Sequence, residues 1–280
     1  MKPSASPQSR QRADAALVRH VARRLTPRDR LICHTLWDHR VLTTAQLTDL
    51  AFESRITAQH RLAELARLRV LDRFRHWRPV GSDPYHYVLD ELGAALVAAD
   101  RGVEAPKVGQ LRARATSLAD SQRLAHLLGV NGVFCALARW ARHEPDAILA
   151  EWWSERRCAA EWGEVVRPDG FGALRRGSAR VEFFLEYDAG TETLGRLAAK
   201  LDGYADLALG TDWHPWVAFW FPSPGREAEA RRVLVHRGVP VVTGADGIGP
   251  DPGGPAWLGL GAAAPRLHLA DLPAAPRRRS

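Results

Sequence analysis

Apolar residues recur three and four apart along much of the first hundred positions, and two apart along several stretches of the second half. Leu31, Ile32, Thr35 and Leu36 follow helical spacing. Just before them, Thr26-Pro27-Arg28-Asp29 offers a capping hydroxyl, a proline suited to the first helical position and an acid that completes an approximate capping box. A second short helix is predicted near Thr43-Thr44-Ala45-Gln46, carrying Leu47, Leu50 and Ala51. Ser54 can cap a third, with Ile56, Leu62, Leu65 and Leu68 on one stripe that ends near Arg69. Strand-like pieces over 70–77 and 85–89 flank the turn-rich Arg78-Pro79-Val80-Gly81-Ser82-Asp83-Pro84, and a helix over 91–100 closes at Arg101-Gly102. Three helices, a hairpin and a closing helix predict a winged helix-turn-helix.

The second half changes period. A long helix is predicted over 118–142, stopped by Pro145, with His126 and Asn131 read as capped or solvated polar groups within it. A strand follows over 147–153, a strand or turn around Val165–Gly170 and a strand over 179–188, then a helix over 192–209 and a strand over 216–221. A helix over 227–236 and a strand over 239–243 come next, and Trp257-Leu258-Gly259-Leu260 can add a late strand. The order α-β-β-β-α-β, then α-β, predicts an α/β domain and an α+β chain overall. The expected organisation is a flexible basic arm (1–25), a winged-helix DNA-binding domain (26–102), a linker (103–117), the α/β domain (118–245) and a Gly/Pro/Ala-rich segment with a basic tail (246–280).

Charge supports that division. The 280-residue chain carries +7, but residues 1–117 hold 20 Lys+Arg against 12 Asp+Glu, and residues 118–270 hold 16 against 19. The basic excess lies in the winged-helix half and in Arg277-Arg278-Arg279, which favours a polyanionic partner, double-stranded DNA first. In winged helices the third helix enters the major groove and the wing tracks flanking phosphate or minor groove. Arg55, Thr57 and Gln59 are the candidate base readers; Arg61, Arg67, Arg69, Arg73, Arg75 and Arg78 are the candidate phosphate contacts. Three scattered cysteines, Cys33, Cys135 and Cys158, read as reduced buried thiols and so as a cytoplasmic protein. No Cys-x-x-Cys or paired Cys/His cluster occurs, so no structural zinc site is expected. No uncharged apolar run reaches membrane-spanning length, and the start lacks an apolar signal core, so no membrane partner is expected.

Along 179–188, Val181, Phe183, Leu185 and Tyr187 point one way, and Glu182, Phe184, Glu186 and Asp188 the other. Glu186 and Asp188 near the strand end, with Asp169 on the neighbouring hairpin arm, can converge on one point. Clustered carboxylates repel unless a cation neutralises them, and hard oxygen ligands suit Mg²⁺ or Mn²⁺. Pro168-Asp169 and Glu186, 17 residues on, resemble the paired acids of the PD-(D/E)XK nuclease superfamily. That resemblance implies Asp169 and Glu186 as metal ligands and as catalytic residues together with Asp188 and a lysine. The lysine expected two residues after Glu186 is Asp188 here; the superfamily also places it on the following helix, where Lys200 stands. Lys200 is one of only three lysines, and lies one turn before Tyr204.

The combination also resembles the replication-relaxation family over roughly residues 27–245. Its carriers are the winged-helix stretch, Leu124-Ala125-His126 with Val130-Asn131, Arg167-Pro168-Asp169-Gly170, and Phe184-Leu185-Glu186-Tyr187-Asp188-Ala189-Gly190-Thr191-Glu192 followed by Lys200 and Tyr204. This resemblance implies a link to plasmid replication or to the topological state of DNA. Three functions compete. One is a Mg²⁺- or Mn²⁺-dependent DNA endonuclease or nickase. Another is a non-catalytic DNA-binding accessory or transcriptional regulator, needing no cofactor, whose nuclease-like domain serves homodimerisation or contacts with replication or mobilisation proteins. The third is a relaxase or topoisomerase using Tyr204.

Overall fold

The computed structural model describes residues 15–76, 83–119, 121, 123–235, 237–249 and 251–273. Its elements begin with α1 (Ala15–Ala22), α2 (Pro27–His39), β1 (Leu42–Thr43), α3 (Thr44–Ala51), α4 (Arg55–Arg67), β2 (Leu71–Phe74), β3 (His86–Leu89), α5 (Glu91–Arg101) and α6 (Val108–Ala119). Then follow α7 (Leu124–His143), β4 (Ala147–Ser154), α8 (Glu155–Trp162), β5 (Gly170–Arg176), β6 (Ala179–Tyr187) and α9 (Leu194–Thr211). Last come β7 (Trp216–Phe221), α10 (Pro224–Val233), β8 (Val241–Ala245), β9 (Leu258–Gly259) and a short 3-10 turn, Leu269–Asp271. The chain is a mixed α/β protein with two separate sheets. The described residues of 1–44 and 56–119 form one compact unit; those of 45–55 and 120–280 form a second.

In the first unit the sheet is antiparallel, ordered β1-β3-β2, with Phe74 paired to His86 and Leu71 to Leu89. Ile32 and Leu36 of α2, Leu62 and Leu65 of α4, and Leu92, Leu96 and Val97 of α5 are buried, as their helical spacing predicts. α2 starts on the anticipated box: the Thr26 hydroxyl accepts from the Asp29 N–H, and the Asp29 carboxylate accepts from the Thr26 backbone at 2.7 Å. Asp29 also holds Arg61 of α4, at 3.0 Å from Nε and 2.5 Å from one terminal nitrogen. The side chain of Asp29 is fully buried. Burial alone would raise its pKa, but hydrogen bonds from Arg61 and Thr26 reverse the effect and hold it below the ordinary value.

A depressed carboxylate pKa adds stability that is present above its unfolded value near 3.9 and is lost as pH falls through the folded value. Acid unfolding of the wild type should therefore steepen below about pH 4, and Asp29→Asn should flatten that limb while lowering neutral-pH stability by about 3 kcal/mol. Denaturant melts at stepped pH measure both.

Residues 103–117 are not wholly a linker, because α6 occupies Val108–Ala119. Only Leu118 of that helix is buried, so its apolar periodicity is weak. The helix expected from 118 begins instead at Leu124, after a turn in which the Ser121 hydroxyl accepts from the Arg123 N–H.

The second unit is a six-stranded sheet, β4-β5-β6-β7-β8-β9. β4, β5 and β6 run antiparallel in sequence, β6-β7 and β7-β8 are parallel, and β9 returns antiparallel on β8. Both faces are covered. On one, Val181, Phe183 and Leu185 of β6 pack with Val130, Phe134 and Leu137 of α7 and with Trp257. On the other, Phe184, Phe219 and Phe221 pack with Leu197, Leu201 and Tyr204 of α9 and Ala230 of α10. α9 covers the β6 face that carries the acids. Among the described residues α7 alone is long and apolar enough to cross a membrane, but more than half of it is buried and it packs on β4 and β6. Gly129 sets how closely it approaches: a Cβ there would lie 2.2 Å from the Tyr187 ring.

Candidate functional site

Asp169 ends the loop that enters β5, and the β5–β6 register pairs Gly170 with Leu185. Antiparallel pairing therefore sets Asp169 beside Glu186, although 17 residues separate them. The Asp169 Oδ2 accepts the Tyr187 backbone N–H at 2.8 Å, which fixes its rotamer. Its Oδ1 lies 2.9 Å from His126 Nε2 on α7. The close approach at Gly129, one turn along, brings this histidine to the strand end, where its ring meets Tyr187 edge-on.

Glu186 is 2% exposed, and both its oxygens are engaged by α9. Lys200 Nζ donates to Oε2 at 2.8 Å, and the Tyr204 hydroxyl donates to Oε1 in a short hydrogen bond. Four residues apart, these two side chains share one face of the helix. Lys200 also reaches Glu192 Oε2 at 3.1 Å and keeps a third of its side chain open to solvent.

The electrostatics follow from burial. Desolvation pushes the Glu186 carboxyl well above the usual range, and the charge of Asp169 pushes it further, against Lys200 and Tyr204. Burial works against the Lys200 ammonium, but Glu186, Asp169 and Glu192 more than offset it and raise its pKa. Tyr204 is raised well above its ordinary value, first by burial and then by the Glu186 charge. His126 is raised chiefly by its hydrogen bond to Asp169, with burial opposing. The site thus pairs acids with cations and keeps Tyr204 a neutral phenol.

A raised histidine pKa gives stability that is complete below the unfolded value of about 6.5 and fades as pH rises through the folded value. In metal-free protein, NMR titration should find His126 above that value, and Asp169→Asn should return it toward about 6.5.

Asp188 has other partners. Its Oδ2 accepts from Arg226 Nε of α10 at 2.7 Å and its Oδ1 from the Gly190 N–H at 2.8 Å. Strand alternation places it on the side of Glu186, and α10 covers the same sheet face as α9, but its carboxylate is held by Arg226 and not by Lys200. Sequence reasoning passed over His126 as a ligand of Asp169, because one polar residue in an apolar helix gives no contact signal. Trp153, Trp162, Phe171, Phe184 and Trp213 stack into one aromatic cluster beside the site, so Trp153 and Trp213 serve packing.

The predicted DNA contacts separate into two sets. Arg55, Thr57, Gln59 and Arg67 of α4 are exposed, as are Arg73 and Arg75 at β2. Arg73 and Arg75 sit over the Tyr85 ring, 4.2 and 5.0 Å from its centre. Arg61 is instead engaged by Asp29 and Glu64, and Arg69 by Glu91. Arg78 lies outside the described residues. All three cysteines are buried and free.

A family model described as replication-relaxation matches residues 34–217. No curated protein matches the chain. No solved structure matches it either.

Proposed function

The chain belongs to the replication-relaxation family, and on that premise we propose that it binds double-stranded DNA in plasmid replication or in control of DNA topology, and cuts one strand at the Asp169–Glu186 site. In this reading residues 26–102 form a winged helix. α4 reads the major groove through Arg55, Thr57 and Gln59, and Arg67, Arg73 and Arg75 hold phosphates. The second unit is a PD-(D/E)XK-type nuclease whose lysine has moved to α9.

The convergence of Asp169, Glu186 and Lys200 is the observation that carries this reading. Two acids lie side by side at a strand end, one of them buried, with the ammonium of Lys200 between Glu186 and Glu192. Asp29 is also buried, but Arg61 and Thr26 hold its pKa down, whereas Glu186 stays raised despite Lys200 and Tyr204, as carboxylates at functional sites often do. The donor set fits a hard dication. Each carboxylate oxygen in use keeps a second lone pair, and no sulfur ligand competes. Asp169 and Glu186 would hold Mg²⁺ or Mn²⁺, which would supply an activated water and neutralise phosphate charge. Tyr204 fixes the Glu186 carboxylate in rotation. Lys200 presents its exposed edge to phosphate or water, and His126, whose pKa the hydrogen bond to Asp169 raises, adds positive charge at the rim when protonated.

A second reading is favoured by one observation, that both Glu186 oxygens already have internal partners. It makes the unit a non-catalytic platform for a homodimer or for replication or mobilisation proteins. Burial and a raised pKa oppose Tyr204 as a nucleophile.

Incubation with supercoiled plasmid and Mg²⁺ or Mn²⁺, beside Asp169→Ala and Glu186→Ala, separates these readings. Nicking that both variants lose supports the nuclease. A gel shift without cleavage supports the platform, and a topoisomer ladder with DNA linked to Tyr204 supports the tyrosine route.

A further inference from the structure

A second cluster of ligating side chains stands in the first unit, outside the carboxylate site. One ring nitrogen each from His76 and His86 and one oxygen of Asp83 lie within 4.8 Å of one another. β-sheet register brings them near: Phe74 pairs with His86, and His76, two residues past the end of β2, lies diagonal to it, the two ring centres 5.6 Å apart. Asp83 stands three residues before His86, the first residue of β3.

Each ring is oriented. His76 Nε2 lies 2.9 Å from the Ala119 carbonyl oxygen at the end of α6. A carbonyl only accepts, so Nε2 carries the proton, and in the neutral ring Nδ1 keeps its lone pair. That Nδ1 faces Asp83 Oδ2 at 3.4 Å. A proton or a metal cation can join the two atoms across that distance. His86 is 4% exposed, its ring stacked on Phe74 and edge-on to His76. Its Nδ1 is buried and makes no hydrogen bond among the described residues. A buried nitrogen left so is unfavourable unless something else takes its lone pair or proton.

We propose that His76, Asp83 and His86 bind a transition-metal dication of the zinc class at the base of the β2–β3 hairpin. Two imidazoles and one carboxylate form a three-ligand set that leaves a position for water. Imidazole nitrogen suits zinc-class ions rather than Mg²⁺, so this site and the all-oxygen Asp169–Glu186 pair select different metals. The Ala119 carbonyl is the outer partner that fixes the His76 tautomer. Bound there, the ion cross-links both arms of the hairpin that carries Arg73, Arg75 and Tyr85, and holds them to the end of α6. No cysteine takes part, and the three ligands sit seven and three positions apart in sequence, so the sequence shows no zinc motif.

The test uses the full chain, stripped with chelator and titrated with Zn²⁺ in excess Mg²⁺, with Co²⁺ absorption as the second readout. One tight equivalent is expected in the wild type and unchanged in Asp169→Ala. His76→Gln and His86→Gln should weaken it by at least about tenfold. His76 is largely exposed, so His76→Gln keeps the fold, as circular dichroism would verify. An equivalent that survives in His76→Gln, or that disappears with Asp169→Ala, overturns the proposal. So does a wild type that binds no Zn²⁺ while NMR finds His76 doubly protonated against Asp83, an ordinary imidazolium–carboxylate pair.

Discussion

Replacing Glu186 by Gln is expected to reduce metal-dependent nicking of supercoiled plasmid by roughly 10²–10³-fold, with DNA affinity unchanged. Gln keeps the volume of the side chain and offers an oxygen to Lys200 or Tyr204, so the fold should hold. It removes the negative charge that a dication needs. Glu186→Ala should behave differently, because it leaves the Lys200 ammonium and the buried Tyr204 hydroxyl without their partner. Its cost should include about 3–5 kcal/mol of stability. Comparing the two variants by rate and by melting separates loss of chemistry from loss of structure. Lys200→Ala should lower the rate by roughly 10²-fold. Tyr204→Phe should retain most of it, since the phenol positions Glu186 and attacks nothing.

The second large effect concerns DNA. Replacing Arg67, Arg73 and Arg75 together by Ala should reduce the slope of log affinity against log salt by about 3, one for each phosphate released. Arg61→Ala should leave that slope unchanged and lower stability, because its guanidinium is committed to Asp29 and Glu64. Fluorescence anisotropy across a salt series, beside denaturant melts, resolves the two. A slope that falls with Arg61→Ala and stays put in the triple variant would reverse the division of these arginines.

That division shows what a linear sequence can and cannot carry. Arg61 and Arg67 look alike in a basic stretch, and only the packing of α2 on α4 sets Asp29 against the first. The paired acids were legible because hairpin geometry is local: a strand, a turn and an antiparallel return place Asp169 beside Glu186 whatever surrounds them. Lys200 was legible because the nuclease resemblance allows the lysine on the following helix and no other lysine stands there. The burial of that face was not, since it depends on α9 crossing a strand whose own alternation reads as half exposed. α8 was missed for a related reason. Glu155–Trp162 is charged on most sides, and Cys158 is its buried residue, so it carries almost no apolar stripe. β5 lies at Gly170–Arg176, later than the strand or turn expected around Val165–Gly170, because its glycines take the place of side chains that would mark a strand; Gly172 instead makes room for Phe134 and Phe183. His126 and the His76–Asp83–His86 cluster depend on contacts between elements, which no spacing rule reports.

The most direct test of the central claim is single-turnover nicking of supercoiled plasmid by saturating wild-type protein, with a gel shift run in parallel and chelator as control. The account predicts shifted DNA in every lane, and nicked circles only where Mg²⁺ or Mn²⁺ is present. Plasmid that stays supercoiled while fully bound, or that is nicked equally in chelator, would contradict it.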